Sequence, residues 1–155
     1  MKKSSKNIVV VYHDSCVDGL TSAWALHQKW ASEPQTSVTY IPYAHHKTKE
    51  AESSILAALQ PDAEIYFVDI APRKALLNEL MSPDVNGNKK VLAVHILDHH
   101  LTAAKNLAQY RPPVVAGFTP PALDIQIEEN HPSASSMIWN IMLPGRATPS
   151  IQKAS

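Results

Sequence analysis

A short apolar run about two thirds of the way along the chain ends in one acid and two imidazoles. Residues 91–97 read Val-Leu-Ala-Val-His-Ile-Leu, and Asp98, His99 and His100 follow them directly. Such a run, with a helical pattern after it, predicts a strand that is buried on both faces of a sheet. Ligands of parallel α/β sheets bind outside the carboxyl ends of the strands, so we expect this triplet to lie at a functional edge.

The arrangement recurs along the chain, because strand patterns alternate with helical patterns about five times. Strands are predicted over residues 8–12, 37–43, 64–70, 91–97 and 124–128, and residues 114–116 are a further short candidate. Helices are predicted from Leu20 to a break at Glu33 and Pro34, over residues 48–59, around Leu76, Leu77 and Leu80, over residues 101–109, and from Pro132 along Met137, Ile138, Ile141 and Met142. This alternation predicts a doubly wound (Rossmann-like) α/β domain, in which a five-stranded parallel sheet carries helices on both faces.

Four of the predicted strands are followed by side chains that can bind metal ions. These are His13, Asp14, Cys16 and Asp18 after the first strand, Asp69 at the end of the third, Asp98, His99 and His100 after the fourth, and Glu129 and His131 after the fifth. Mixed imidazole and carboxylate ligands suit Mn²⁺, Zn²⁺, Fe²⁺ or Co²⁺. The set is too large for one ion, and a central carboxylate such as Asp69 could bridge two ions roughly 3.5–4 Å apart.

A pair of divalent ions has a defined use in phosphate chemistry. It lowers the pKa of a water molecule between the ions and stabilises both the attacking and the leaving oxygen of a phosphoryl displacement. Helix N-termini after Gly19 and Pro132 are expected to add backbone N–H groups for phosphate oxygens. The residues therefore predict a two-metal hydrolase of a phosphate ester or anhydride, with a metal-activated hydroxide as the nucleophile.

Composition narrows the class of substrate. The 155 residues include 14 Lys and Arg against 14 Asp and Glu, so the formal net charge is zero. This balance argues against strong binding of long nucleic acids, but not against a small phosphorylated or short nucleotide substrate. A single cysteine excludes an internal disulfide and suits a reducing cytoplasm. The apolar run after the basic N-terminus is too short for a signal peptide or a membrane span, so no membrane partner is expected.

The order of these motifs resembles that of the DHH phosphoesterase superfamily, which is named for the triplet present here as Asp98, His99 and His100. Residues 12–19, Tyr-His-Asp-Ser-Cys-Val-Asp-Gly, are similar to the first motif of that family, and residues 68–69 to the second. Residues 97–100 are similar to the third motif, and residues 129–139, which include Ser133 and Trp139, to the fourth. The resemblance covers nearly the whole chain in the expected order.

This resemblance implies a manganese-dependent phosphohydrolase, a class that includes single-strand exonucleases, oligonucleotide and cyclic-dinucleotide phosphodiesterases, and inorganic pyrophosphatases. It implies that Asp69 bridges two Mn²⁺ ions, with Zn²⁺, Fe²⁺, Co²⁺ or Mg²⁺ as alternatives. The further ligands that it implies are His13 and Asp18 from the first motif, His99 for the second ion, and Glu129 from the fourth motif. The catalytic candidates are His100, placed near the substrate phosphate, and Asp98, which would support the ligands from behind.

Departures from the family pattern leave alternatives open. The first motif of the family often has two aspartates two residues apart, and Cys16 stands at the earlier of these positions. A thiolate binds Zn²⁺ or Fe²⁺ better than Mn²⁺, so the metal preference is expected to shift if Cys16 is a ligand. The spacing from His13 is one residue shorter than usual, which makes Asp14 an alternative ligand. In the fourth motif, Glu129 and His131 compete for one position.

Members of the family usually carry a second domain that closes over the site and grips the substrate. Here we expect a metal-binding phosphoesterase domain over residues 1–143 and a loose tail over residues 144–155, without that second domain and therefore with slow hydrolysis. The expected substrate is a small phosphodiester such as a short oligonucleotide or a cyclic dinucleotide. The alternatives are a non-catalytic binding or regulatory module of the same type, or an inorganic pyrophosphatase.

Overall fold

The computed structural model describes residues 5–147 and confirms the predicted fold class. Five parallel strands form one sheet in the order β2-β1-β3-β4-β5. The strands are β1 (Lys6–His13), β2 (Thr36–Tyr43), β3 (Ala63–Val68), β4 (Ala93–Asp98) and β5 (Ala122–Ile127). The helices are α1 (Val17–Trp30), α2 (Thr48–Ala58), α3 (Lys74–Leu80), α4 (Leu101–Leu107) and α5 (Ala134–Met142), with a 3₁₀ turn at His45–Lys47 before α2.

Side chains alternate between the two faces of the sheet, and each face has its own apolar core. In β1, Val9 and Val11 pack in the core that includes residues of α2, α3 and α4. Ile8 and Val10 pack in the opposite core, with residues of α1 and α5. All four side chains are buried. Burial on both faces explains why the strands read as continuous apolar runs in the sequence.

The order of the strands reverses between β1 and β3. From β1 the chain moves outward to β2, returns over the opposite face to β3, and continues to β4 and β5. The register pairs His13 with Tyr43 on one side of β1 and Tyr12 with Val68 on the other, so these strands end at nearly the same level. In doubly wound sheets the crevice at such a reversal is the usual ligand site.

Two predicted strand regions differ from the structure. Strand β3 ends at Val68 rather than at residue 70, because Asp69 adopts a left-handed backbone conformation with φ of 58° that leaves the sheet. Residues 114–116 do not form a strand. They lie in an irregular connection in which Val114 is fully exposed, so no neighbouring strand or helix covers this short apolar run.

Two helices begin at other residues than predicted. Helix α1 begins at Val17 rather than Leu20, and its Trp24 stacks on Trp139 of α5, with ring centroids 5.7 Å apart. Helix α5 begins at Ala134 rather than Pro132, because Ser133 is its N-cap and accepts a hydrogen bond from the Ser136 backbone N–H. The predicted ends of α2 and α4 lie one and two residues beyond the observed ones.

The predicted tail is described only in part. Within it, the Arg146 carbonyl accepts a hydrogen bond of 3.1 Å from the Trp139 indole N–H, so the first residues of the tail pack on α5. Residues 148–155 of the predicted tail lie outside the described residues. Within residues 5–147, no helix combines the length and the apolar content that crossing a bilayer requires.

Candidate metal centre

Asp69 lies at the centre of the candidate site. It follows β3 immediately, its backbone N–H donates to the Leu97 carbonyl at 3.0 Å, and its side chain is only 1% exposed. A left-handed conformation in a residue other than glycine costs about 1–3 kcal/mol and is most often retained at functional sites. Burial raises the pKa of the Asp69 carboxyl, and the negative charge of Asp18 raises it further. The fold therefore holds a carboxylate in a place that disfavours its charge.

The first group of candidate ligands contains Asp69, Asp98, His99 and His100, which offer ligand atoms within 4.8 Å of one another. Oδ1 of Asp69 lies 3.1 Å from His99 Nε2 and 3.9 Å from His100 Nδ1. Asp98, the last residue of β4, is as buried as Asp69. The predicted triplet thus meets the predicted bridge, which lies at the end of the neighbouring strand.

His99 is oriented as a metal ligand would be. Its Nδ1 lies 2.8 Å from the His131 backbone carbonyl, which can only accept, so Nδ1 carries a proton and Nε2 faces the two carboxylates. Metal-binding histidines usually donate their other ring N–H in this way. Burial lowers the pKa of His99, but the His131 carbonyl and the carboxylates of Asp69 and Asp18 outweigh it and leave the pKa raised.

Asp98 and His100 form a hydrogen-bonded pair. Oδ1 of Asp98 lies 2.6 Å from His100 Nδ1 and also accepts from the His99 backbone N–H at 2.7 Å. A carboxylate only accepts, so Nδ1 of His100 donates and Nε2 is left free. The His100 side chain is 46% exposed and lines a cavity beside the site. Asp98 is buried beside it, and its supporting role stays a prediction.

The second group of candidate ligands contains His13, Cys16 and Asp69. Here the other carboxylate oxygen of Asp69, Oδ2, is the common neighbour, 3.6 Å from Cys16 Sγ and 3.7 Å from His13 Nδ1. His13 is the last residue of β1, and Cys16 precedes α1. The two oxygens of Asp69 therefore face two different groups of ligands.

The carboxylate of Asp18, a residue of α1, caps the N-terminus of α5. It accepts hydrogen bonds from the Ser133 hydroxyl at 3.0 Å and from the backbone N–H groups of Ala134 and Ser135, both at 2.9 Å. Burial raises the pKa of Asp18, but these hydrogen bonds outweigh it and leave the pKa lowered. The expectation that the helix N-terminus after Pro132 binds a phosphate is wrong, because a side chain of the protein already takes its N–H groups.

A ligand position nevertheless remains on Asp18. Three of the four acceptor positions of its carboxylate are used, and Oδ2 lies 3.5 Å from His99 Nε2. Among the described residues, the two groups of ligand atoms within 4.8 Å do not include Asp18, Asp14 or Glu129. Asp14 instead accepts from the Ser15 backbone N–H at 2.8 Å. The ligand role of Asp18 stays a prediction, which its proximity to His99 supports. The ligand role of Asp14 stays a prediction that no such proximity supports.

Glu129 and His131, which compete for the fourth motif, lie after β5. Glu129 is exposed and lines a separate surface depression formed by residues 127–132. His131 contributes its backbone carbonyl to His99, while its ring Nδ1 accepts from the Ser133 N–H at 3.3 Å. Among residues 5–147, no contact of the Glu129 side chain supports a ligand role, and His131 contributes to the site through its backbone carbonyl.

A cavity of about 270 Å³ adjoins the first group of ligands. Besides strand-end residues, its lining includes Tyr43, His45, Arg73, Thr102 and Asn106, none of which we predicted as site residues. Tyr43 and His45 end and follow β2, so the rule applied to the other strands would have found them. Thr102 and Asn106 lie four residues apart on α4, and this spacing alone carries no signal of function.

An unpaired polar atom in the second group of candidate ligands is a separate observation that agrees with a bound metal ion. The Nδ1 atom of His13 is buried and has no hydrogen-bond partner among the described residues. An unpaired polar atom in such a position costs about 1–3 kcal/mol. A cation beside Asp69 Oδ2 would satisfy this nitrogen, the carboxylate oxygen and the sulfur together, and would also compensate the burial of Asp69.

Comparisons with known proteins bear on the fold. No family model matches the chain, and no curated protein matches it. The fold is similar to the crystal structure of an uncharacterized protein from Helicobacter pylori G27, with a TM-score of 0.54 and 11% sequence identity. The similarity covers 96% of this chain and 40% of that protein, so the chain spans less than half of its length. At this identity the likeness shows a shared doubly wound α/β architecture.

Proposed function

We propose that this chain is a two-metal phosphohydrolase of the DHH type that cleaves a small phosphodiester. The observation that carries the proposal is Asp69, a buried carboxylate that belongs to two groups of candidate ligands at once. Its Oδ1 faces the group with His99, and its Oδ2 faces the group with His13 and Cys16. A carboxylate that bridges two ions is a common feature of enzymes that use such pairs for phosphoryl transfer.

The charge of the site favours cations together with an anionic substrate. The site contains three carboxylates: Asp69 belongs to both groups of ligands, Asp98 belongs to the first group, and Asp18 lies beside Asp69. The guanidinium of Arg73 lines the cavity, but it is already paired with Glu52 through contacts of 2.6 and 2.8 Å. A phosphate would meet net negative charge here unless divalent ions were bound. When bound, such ions would lower the pKa of a water molecule and neutralise the charge on the phosphoryl oxygens.

The protein itself would hold and move one proton. Because His100 Nδ1 donates to Asp98, its Nε2 is the nitrogen that can carry a proton toward the cavity. Protonation of the leaving oxygen by a positioned imidazole is worth about 10²–10⁴-fold in rate. Asp98 would act by fixing the orientation and the tautomer of His100, as the carboxylate of a histidine pair does.

The dimensions of the cavity favour a small substrate. About 270 Å³ lies just below the range of roughly 300–1,000 Å³ typical of small-molecule sites. One phosphate with one attached group fits such a space, and the neutral charge of the whole chain adds no attraction for a long polyanion. A dinucleotide or a cyclic dinucleotide is the proposed substrate class, with one phosphate and one attached group in the cavity and the rest of the molecule outside it.

The experiment compares hydrolysis by the purified chain with that of Asp69→Asn, in the presence of Mn²⁺. The substrates are a linear dinucleotide, a cyclic dinucleotide, pyrophosphate and bis(4-nitrophenyl) phosphate. We expect the substitution to lower the rate by more than about a hundredfold, because even the outer partners of metal ligands are worth 10–100-fold. We expect circular dichroism to show an intact fold, since the amide is nearly isosteric with the carboxylate.

Asp62→Asn is the matched control, because Asp62 is exposed and precedes β3 at the opposite end of the same strand. It should retain the rate of the unmodified chain. Metal titration by calorimetry should give two divalent ions per chain and fewer in Asp69→Asn. A chain that binds no metal and cleaves nothing would be a non-catalytic module, and preferential cleavage of pyrophosphate would identify a pyrophosphatase; either outcome overturns the proposal.

A further inference from the structure

The two groups of candidate ligands differ in chemistry. The group with His99 and His100 offers only imidazole nitrogens and carboxylate oxygens. The group with His13 also offers the sulfur of Cys16, which is the one cysteine of the whole chain. Sulfur ligands select softer ions such as Zn²⁺ or Fe²⁺, whereas oxygen and nitrogen ligands also suit Mn²⁺.

The buried groups around Cys16 are incompletely satisfied. Oδ2 of Asp69, a side chain that is 1% exposed, accepts from the Cys16 thiol at 3.6 Å, and a thiol is a weak donor. His13 Nδ1 is buried, has no hydrogen-bond partner within residues 5–147, and lies 3.7 Å from the same oxygen. Burial of polar atoms in this state is unfavourable unless a further group binds between them.

The distances suit a tetrahedral ion. Bond lengths of about 2.3 Å to sulfur and about 2.0 Å to nitrogen or oxygen place neighbouring ligand atoms roughly 3.3–3.5 Å apart around zinc. The two distances from Asp69 Oδ2, 3.6 Å to sulfur and 3.7 Å to nitrogen, exceed these values by only a few tenths of an ångström. The third distance, between Cys16 Sγ and His13 Nδ1, is within 4.8 Å, so an ion that binds all three atoms requires side-chain rotation to bring these two closer.

The position of Cys16 in the chain agrees with a ligand role. Cys16 is the N-cap residue of α1, a position where Ser, Thr, Asp and Asn are preferred because their oxygens cap the helix. Its side chain makes no cap hydrogen bond. The sulfur points instead to Asp69, so the side chain at this capping position contacts the strand-end site rather than the helix N-terminus.

We propose that His13, Cys16 and Asp69 form a thiolate-containing subsite that selects a zinc-like ion, while the subsite with His99 takes Mn²⁺. This inference rests on the proposed two-metal function and specifies the ions that it uses. The centre would then hold two different metals, joined by the carboxylate of Asp69. A Cys16→Asp variant should convert the first subsite into an all-oxygen and nitrogen site that accepts Mn²⁺.

The test is an anaerobic titration of the whole chain with Co²⁺, followed by absorption spectroscopy. Thiolate bound to Co²⁺ gives a charge-transfer band in the near ultraviolet, and Cys16 is the only residue of this chain that can produce it. We expect the band with one equivalent per chain, its loss in Cys16→Ser and Cys16→Asp, and two bound Co²⁺ in Cys16→Asp. Circular dichroism of both variants confirms that they are folded.

A second measurement compares metal affinities. The ratio of Zn²⁺ to Mn²⁺ affinity at the first subsite should fall by about tenfold or more in Cys16→Asp, because thiolate is replaced by carboxylate. Asp62→Asn is the matched control, since Asp62 is exposed, precedes β3 at the opposite end of that strand from Asp69, and is not a candidate ligand. It should leave the Co²⁺ band and the affinity ratio unchanged.

The outcomes separate this inference from the proposed function. If Co²⁺ binds without a charge-transfer band and Cys16→Ser binds equally well, the thiolate subsite is refuted while the two-metal proposal stands. If the unmodified chain binds no Co²⁺, Zn²⁺ or Mn²⁺, both are refuted. A band that survives in the folded Cys16→Ser variant would also refute the assignment, because no other thiol is present.

Discussion

Asp98 and His100 form the closest pair of side chains at the strand ends, with 2.6 Å between Oδ1 and Nδ1. Both residues line the cavity, but the Asp98 side chain is 1% exposed whereas that of His100 is 46% exposed. A carboxylate behind an imidazole fixes which ring nitrogen carries the proton. His100 Nε2 is therefore the atom from which a proton can reach a leaving group. A proton donor and a metal ligand at this position predict different effects of substitution.

We predict that His100→Gln lowers kcat for a dinucleotide by about 10²–10⁴-fold. The same variant should lose much less activity on bis(4-nitrophenyl) phosphate, because nitrophenolate leaves without a proton. Rates on both substrates, together with the Mn²⁺ affinity from calorimetry, check the prediction. His46→Gln, an exposed histidine of the 3₁₀ turn, is the matched control. Equal losses on both substrates, with loss of one metal, would instead make His100 a ligand.

At the scale of the elements, the carboxylate of Asp18 joins α1 to α5. It lies in the first turn of α1 and accepts two backbone N–H groups of α5. Both helices cover the same face of the sheet, and their contact places Ser133 beside Asp18 and the His131 carbonyl beside His99. The orientation of His99 thus depends on the packing of these two helices.

We predict that Asp18→Asn lowers the free energy of unfolding of the metal-free chain by about 1–2 kcal/mol, because it removes a charged cap from a helix N-terminus. The lowered pKa of Asp18 means that this contribution is present above the ordinary carboxyl pKa and is lost as the pH falls through the folded value. Urea denaturation at pH 7 and pH 3 measures it. Ser133→Ala, which removes the cap hydroxyl but no charge, should cost about 1 kcal/mol.

A purely ligating Asp18 would behave differently. In that case Asp18→Asn would leave the metal-free stability unchanged and lower only the affinity for metal. Loss of both quantities would show that the one acceptor position left beside His99 also binds an ion.

Gly19 controls the approach of α1 to the end of β1. A Cβ atom at this position would collide with the His13 carbonyl oxygen and lie 2.9 Å from the His13 Cβ. We predict that Gly19→Ala destabilises the chain by about 1–3 kcal/mol, the usual cost of overpacking. It should also weaken metal binding by displacing His13. Denaturation and metal titration check both effects. The control is Gly87→Ala, where an added Cβ atom would meet no other atom within 4 Å and only the φ of 82° is strained.

The elements explain which parts of the site could be predicted from sequence. The runs before His13, Asp69 and Asp98 are mostly apolar, so their ends were visible, and parallel strands bring their carboxyl ends to one edge. The capping role of Asp18 depends on Ala134 and Ser135, more than a hundred residues away. No local pattern encodes that contact. The left-handed Asp69 was also not predicted, because only the neighbouring Leu97 carbonyl and the packed site hold it there.

At the scale of the whole molecule, the protonated forms of the site residues stabilise the metal-free fold, whereas metal binding requires their deprotonated forms. The pKa of His99 is raised, so its protonation stabilises the fold below its unfolded pKa, and this contribution is lost as the pH rises through the folded value. The pKa of Asp69 is also raised, so its ionisation likewise weakens the fold as the pH rises. Metal ions have the opposite preference, because they bind the deprotonated forms of both residues.

We therefore predict that Mn²⁺ stabilises the chain more at pH 8 than at pH 5.5. At saturation near 100 times its dissociation constant, one ion adds about 2.7 kcal/mol, which corresponds to a rise in Tm of roughly 5–10 °C for a chain of this size. Thermal unfolding with and without Mn²⁺ across this pH range measures the difference. In Asp69→Asn the gain should nearly vanish at every pH, whereas Asp62→Asn should retain it. A gain that is the same at pH 5.5 and pH 8 would contradict competition between protons and metal at His99 and Asp69, and with it the placement of the ions at this edge of the sheet.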